Sequence, residues 1–220
     1  MGALARDGAH EGSWIYADQQ TTGRGRQGRA WVSPLGNLYA SGLVRLHDND
    51  PPAASLALVA GVALIEVLQS YAPAAPLQLK WPNDILAGKA KLAGILLERE
   101  GDAVVIGVGA NLAHHPDLPD RPATSLAALG APSPSPQQVV TDLAAQLAHW
   151  VSIWRTQGLH AITAAWEARA HPIGTPLSAD SGQGTRLEGT FQGLDPSGAI
   201  ILRLANGSNS VIHAGDVFLI

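Results

Sequence analysis

The stretch Ala53 to Leu68 restricts the fold of this chain more than any other segment. It is alanine-rich and apolar almost all round, with Glu66 as its one charge. A helix with no polar face has no side to turn towards water, so it has to be enclosed by other elements. It is also too short, and carries a carboxylate, for a bilayer span. The flanking sequence supplies material to enclose it. Leu38 to Leu46 alternates like a strand, and Leu77 to Trp81 is a short strand stopped by the turn residues Pro82, Asn83 and Asp84. Leu92–Glu98 and Ala103–Gly109 read as two strands joined through Arg99-Glu100-Gly101-Asp102 as a hairpin. Ala131–Pro136, an alternation of proline with small residues, is punctuation before a helix in which Val139, Leu143, Leu147, Trp150, Val151 and Trp154 follow a 3.6 period. A second helix is expected over Leu159–Ala170, and a mobile loop over His114–Pro122.

After His171-Pro172 the composition changes. Short β runs at Leu187–Phe191, Ile200–Leu204, Ser210–His213 and Val217–Ile220 alternate with turns rich in Gly, Asp, Asn and Ser, a spacing that suits a small barrel. The expected layout is α/β (α+β): a mixed body over residues 1–172 and a β unit over 173–220. With 46% hydrophobic residues the chain can bury a substantial core.

Charge placement points to the ligand. Lysine occurs only at Lys80, Lys89 and Lys91, while three of the eleven arginines crowd into Gly23–Arg29, G-R-G-R-Q-G-R. Lysine offers a compact ammonium on a flexible stem, and arginine a rigid fork for carboxylate or phosphate. A net charge of −4 argues against a protein that coats nucleic acid, so the expected ligand is a small anion. No cysteine is present, which excludes disulfides and cysteine-bound zinc. His114 and His115 are adjacent rather than on one helix face, so no metal site is expected there. The opening residues contain no apolar run of signal-peptide length, and a cytoplasmic protein without membrane contact is the expectation.

Gly23, Gly25 and Gly28 satisfy G-x-G-x-x-G, but a dinucleotide site needs a helix to begin inside that motif. Arg29-Ala30-Trp31-Val32-Ser33-Pro34 is a poor helix start, and no phosphate-binding G-x-x-x-x-G-K motif exists. The better reading is a loop whose amides and guanidinium groups close over a phosphate or carboxylate.

Four motifs in order, T-T-G-R-G-R-Q-G-R-A-W, K-W-P-N-D, K-L-A-G-I-L-L-E and I-G-V-G-A-N-L, make the chain resemble biotin protein ligases. The resemblance is strong over Tyr16–Asn111 and weaker through Ala123–Leu126 and Ala214–Val217 (A-G-D-V). It implies a catalytic domain like that of class II aminoacyl-tRNA synthetases, with a mixed sheet and helices, followed by an SH3-like barrel. It also implies ATP and biotin as substrates, Mg²⁺ arriving with ATP, biotinyl-5′-AMP as intermediate and a biotin carboxyl carrier protein domain as acceptor. The chain is expected as a monomer or homodimer. No DNA-binding helix-turn-helix precedes the catalytic region, so DNA is not an expected partner.

The resemblance makes Lys91 the catalytic lysine, touching both the biotin carboxylate and the α-phosphate, and gives Arg26 the second essential place. Gly23, Arg24 and Gly25 fall on the biotin side; Gln20 is expected to bond the ureido ring and Gly94 to let its strand run close against biotin. Arg29, Trp31, Asn83 and Asn111 fall on the nucleotide side, although the residues alone read Trp31 and Trp81 as packing. Asp84 either orients the incoming amine or holds the turn, with Lys80 as a structural partner; Lys89 reads as a solvated loop charge. One departure stands out: the family's Asp-Ser-Thr-Asn-like segment is missing from the nineteen residues before Gln20, and Ala3–Ala9 resembles the later part of the helix that follows it. The expectation drawn from this is a chain that begins too late and lacks part of the biotin pocket. Lipoate or octanoyl transfer, and biotin binding with impaired catalysis, are the alternatives.

Overall fold

A computed structural model describes residues 1–118, 122–180 and 186–220. Helix α1 (Gly2–Arg6) sets Ala5 against Leu43, Ala103 and Val105. Strand β1 (Trp14–Tyr16) and strand β2 (Leu38–Arg45) flank the arginine loop. Helix α2 (Leu56–Tyr71) follows a 3₁₀ turn at Ala53–Ser55. Then come β3 (Leu77–Lys80), β4 (Asp84–Ala87), β5 (Ala90–Glu100) and β6 (Ala103–Ala110). Helices α3 (Pro136–Gln157) and α4 (Leu159–Glu167) complete the body. The remainder is β7 (Pro176–Asp180), β8 (Arg186–Leu194), β9 (Ile200–Leu204), β10 (Asn209–Ile212) and β11 (Val217–Leu219).

Two sheets result. The first has the order β1-β2-β6-β5-β4-β3 and the second β10-β9-β8-β7-β11, and every strand pair in both is antiparallel. Parallel pairing enters only as the isolated bridges Leu79–Ala170 and Lys91–Ala123 among the described residues. Asp84, expected in the turn after Trp81, instead opens β4, because D-I-L-A pairs with strands on both sides. β7 was not anticipated. Its leading proline hides it, yet the first residue of a strand tolerates proline. Of the expected loop His114–Pro122, residues 119–121 lie outside the described residues.

α2 is enclosed as its composition requires. Eleven of its residues are buried, and it packs on α3, α4 and the first sheet. Together with its 3₁₀ turn it spans Ala53–Tyr71, nineteen residues, longer than expected and enough by length and composition to cross a bilayer. Here that apolar surface lies within the protein core instead, and Glu66 accepts bonds from Trp150 Nε1 at 2.8 Å and from Gln146 and Arg169. Helix α3 starts where the proline-rich punctuation ends: Ser135 and Gln138 form a reciprocal capping box, with Pro136 in the first turn. Its buried residues Val139, Leu143, Leu147, Val151 and Trp154 belong to the same core as α2.

That core continues into the second sheet through Leu177, Phe191, Leu202 and Val217. Trp166 meets Phe191 edge-on at 6.4 Å between centroids, and Trp81 Nε1 donates to the Gly198 carbonyl at 3.0 Å. The terminal sheet is therefore packed against the body, and β11 borders the same cleft as β4 and β5.

Candidate active site

The cleft is built first by the β3–β4–β5 hairpins. Pairing of Lys80 with Asp84 and of Leu86 with Lys91, with a bulge between Ile85 and Leu86, sends three charged side chains to one place. Lys91 Nζ lies 2.5 Å from Asp84 Oδ1, an ion pair rather than a well-aligned hydrogen bond, and Lys80 Nζ donates to Asp84 Oδ2 at 3.4 Å. Burial alone would raise the Asp84 carboxyl, but Lys91 and Lys80 outweigh it and hold it below the usual carboxylate range. Burial, with repulsion from Lys91, pushes the Lys80 ammonium down despite Asp84.

The second wall is the arginine loop. Gly25 N–H donates to the Arg29 carbonyl at 2.7 Å and Trp31 N–H to the Gly23 carbonyl at 2.9 Å, so the loop closes on itself around a single 3₁₀ turn at Arg26–Gly28 and starts no α-helix. The closure turns Arg26 and Arg29 inward, whereas Arg24 stays exposed, 4.0 Å from Glu98. Arg26 Nη1 donates to Asn83 Oδ1 at 3.3 Å, which joins the loop directly to the K-W-P-N-D turn. Asn83 is itself fixed, donating from Nδ2 to the Ile95 carbonyl at 2.5 Å.

Between the walls lies a floor of sheet backbone. The Trp31 indole rests on β6 so closely that a Cβ at Gly109 would fall 2.6 Å from its Cε2, and only glycine admits a flat ring there. Lys91 Nζ stands over the same ring, 5.4 Å from its centroid. The Trp31 Nε1–H is buried with no partner among the described residues, at a cost of about 1–3 kcal/mol.

The walls and floor enclose a cleft of about 660 Å³. It is lined by Gln20, Arg24, Gly25, Arg26, Arg29 and Trp31 from the loop side, and by Asn83, Asp84, Lys91, Gly94 and Asn111 from the sheet side. Gly23 sits behind, in the loop's closing bond. Gln20 Oε1 accepts from Ser33 Oγ at 3.0 Å. Asn111 is 3% exposed, and its amide donates to the Thr124 carbonyl at 2.9 Å, tying the A-T-S-L segment to the cleft. Lys89 is exposed on the β4–β5 turn, as a solvated charge would be, yet it also lines the cleft edge; Trp81 is buried. Reasoning from sequence did not place Asp216 or Phe218 of the terminal segment here, although both line the cleft. The only sign was the A-G-D-V match. The cleft as a whole offers cations for an anion beside an apolar floor for a flat ring. Among the described residues no cluster of three or more histidines or carboxylates could hold a metal.

Comparison with known proteins bears on this chemistry. Residues 3–111 match the Biotin/lipoate A/B protein ligase family, and residues 180–220 match the Biotin protein ligase C terminal domain. The chain is 39% identical to a biotin–[acetyl-CoA-carboxylase] ligase of Paracoccus denitrificans, over 94% of this chain and 90% of that one. It is 35% identical to the corresponding ligase of Mycobacterium tuberculosis, over 98% and 82% of the two chains. The structure of a biotin protein ligase from Aquifex aeolicus, in complex with biotin and ATP, superposes with a TM-score of 0.83 at 24% identity, covering 96% and 91%.

Proposed function

The chain belongs to the biotin protein ligase family, and from that premise we propose how its cleft performs ATP-dependent biotinylation. A biotin carboxylate oxygen attacks the α-phosphorus of ATP, the bond to pyrophosphate breaks, and biotinyl-5′-AMP forms. The amine of a carrier lysine then attacks the acyl carbon, the acyl–phosphate bond breaks, AMP leaves, and the amine loses its proton. Neither step needs a protein nucleophile. Both need reactants held in place and cations where negative charge gathers.

The observation that carries this reading is the Arg26–Asn83 contact, which puts the arginine loop and the lysine hairpin on one cleft. Lys91 serves the biotin carboxylate and the α-phosphate, and Arg26 and Arg29 serve the phosphate from the opposite wall. Gln20, Gly23, Arg24, Gly25 and Gly94 form the biotin side, with Trp31, Asn83 and Asn111 towards the nucleotide. Asp84, lying between two ammonium groups, is too weak a base to take a proton readily; its role is to hold Lys91 in place. Mg²⁺ enters with ATP, held largely by phosphate oxygens and water. Residues 1–172 form the catalytic unit, residues 173–220 close one side of the cleft, and the acceptor is a biotin carboxyl carrier protein.

The test is biotin-dependent pyrophosphate release from ATP, followed by label transfer to a carrier domain. Release that is unaffected by biotin would overturn the reading. Lipoate in place of biotin is expected to give none. The match of residues 180–220 to the biotin ligase terminal domain favours biotin over lipoate.

A further inference from the structure

The two inward arginines of the loop already have an anionic partner, and it comes from the far end of the chain. Arg26 Nη1 donates to Asp216 Oδ1 at 3.4 Å, Arg26 Nη2 to the Gly215 carbonyl at 3.2 Å, and Arg29 Nη2 to Asp216 Oδ2. Asp216 is 19% exposed, against 27% for Arg26 and 33% for Arg29, so all three groups meet at the cleft wall with partial access to solvent.

The backbone imposes this placement. Gly215 has φ +147°, and a Cβ there would collide with the Asp180 carbonyl oxygen. Asp180 N–H also donates to the Asp216 carbonyl at 2.9 Å. These backbone contacts lock the start of β11 against β7 and leave the Asp216 side chain directed at the loop rather than into its own sheet.

A carboxylate on two guanidinium groups has the charge and fork geometry of a phosphate oxygen pair. We infer that Asp216 is a positioning residue that acts through Arg26 and Arg29. It occupies them before the nucleotide arrives, keeps the loop closed against the sheet, and yields both forks to the nucleotide phosphates. The inference rests on the proposed ligase reaction, and it makes the terminal unit part of the nucleotide site. ATP has to displace this carboxylate, so its apparent affinity is set partly by competition within the protein.

Asp216→Asn keeps the volume and one acceptor oxygen while removing the charge. The expected result is a KM for ATP lowered about fivefold with kcat little changed, since the competing charge acts before chemistry. On an Arg29→Ala background the same substitution is expected to change the KM far less. A structural defect would instead lower the melting temperature and kcat together. Should the asparagine variant fail to fold, Asp216→Ser carries the same test. An ATP KM that is unchanged or raised in the folded variant overturns the inference. Wild-type protein without biotin-dependent pyrophosphate release would instead overturn the functional reading, so the two failures are distinguishable.

Discussion

Lys91 and Lys89 are two residues apart but sit in different environments. Lys91 faces Asp84 and the Trp31 ring inside the cleft, while Lys89 stands exposed on the turn at the edge of the same cleft. Replacing Lys91 by alanine removes the cation opposite the arginine loop and leaves Asp84 with Lys80 alone. Biotin-dependent ATP–pyrophosphate exchange should fall by about 10²–10³-fold, the scale of losing one preorganised charge partner. Lys89→Ala should leave the same rate almost untouched. Equal losses in the two variants would show that the hairpin needs positive charge in general rather than this ammonium in particular. The lysine cluster drew attention in the sequence, and so did the position of Lys91 before L-A-G. The anchoring of Lys91 on Asp84 did not, because that pairing depends on the bulge between Ile85 and Leu86.

At the scale of elements, β6 and α3 separate function from stability. Gly109→Ala puts a methyl group 2.6 Å from the Trp31 indole, so either the ring or the strand must move. Overpacking of this kind costs about 1–3 kcal/mol. A shift in tryptophan emission together with a large loss of pyrophosphate exchange is expected; a change in neither would mean that the floor is looser than its geometry. Ser135→Ala removes the α3 capping box, which touches nothing lining the cleft. Stability should fall by about 1 kcal/mol, read as a lower urea midpoint, with exchange activity retained. The two elements also differed in legibility. The start of α3 was plain from its prolines and its 3.6 period. β4 was missed, because four residues beginning with aspartate after a proline turn become a strand only when neighbours pair on both sides.

For the whole molecule, the junction between body and terminal sheet makes stability depend on pH. His171 is 7% exposed; its Nδ1 lies 3.0 Å from Gln78 Oε1, and its Nε2 has no partner among the described residues. Burial, with repulsion from Lys80, holds its pKa below the ordinary histidine value. The unfolded chain therefore takes up a proton first, and stability should decline as pH drops below about 6.5 towards the depressed folded value. Asp84 has the same sign at lower pH: its stabilising contribution is present above about 3.9 and is lost as pH falls through its lowered folded pKa. Urea midpoints at about pH 7 and about pH 5 measure the first window, and His171→Gln should flatten the decline between them. A midpoint independent of pH across that interval would contradict the burial argument.

The sequence alone determined the enclosed helix, the body of strands and helices before His171, the β-rich tail, and the two cationic segments with their family. Each is a local property: periodicity, composition or a short ordered motif carries it without reference to distant residues. Tertiary structure decided which cations face each other, how Trp31 lies on Gly109, and that Asp216 closes the site from nearly two hundred residues away. A contact of that kind depends on how β11 docks beside β7 and how the terminal sheet packs on the body, and no local pattern in either segment encodes the distance between them.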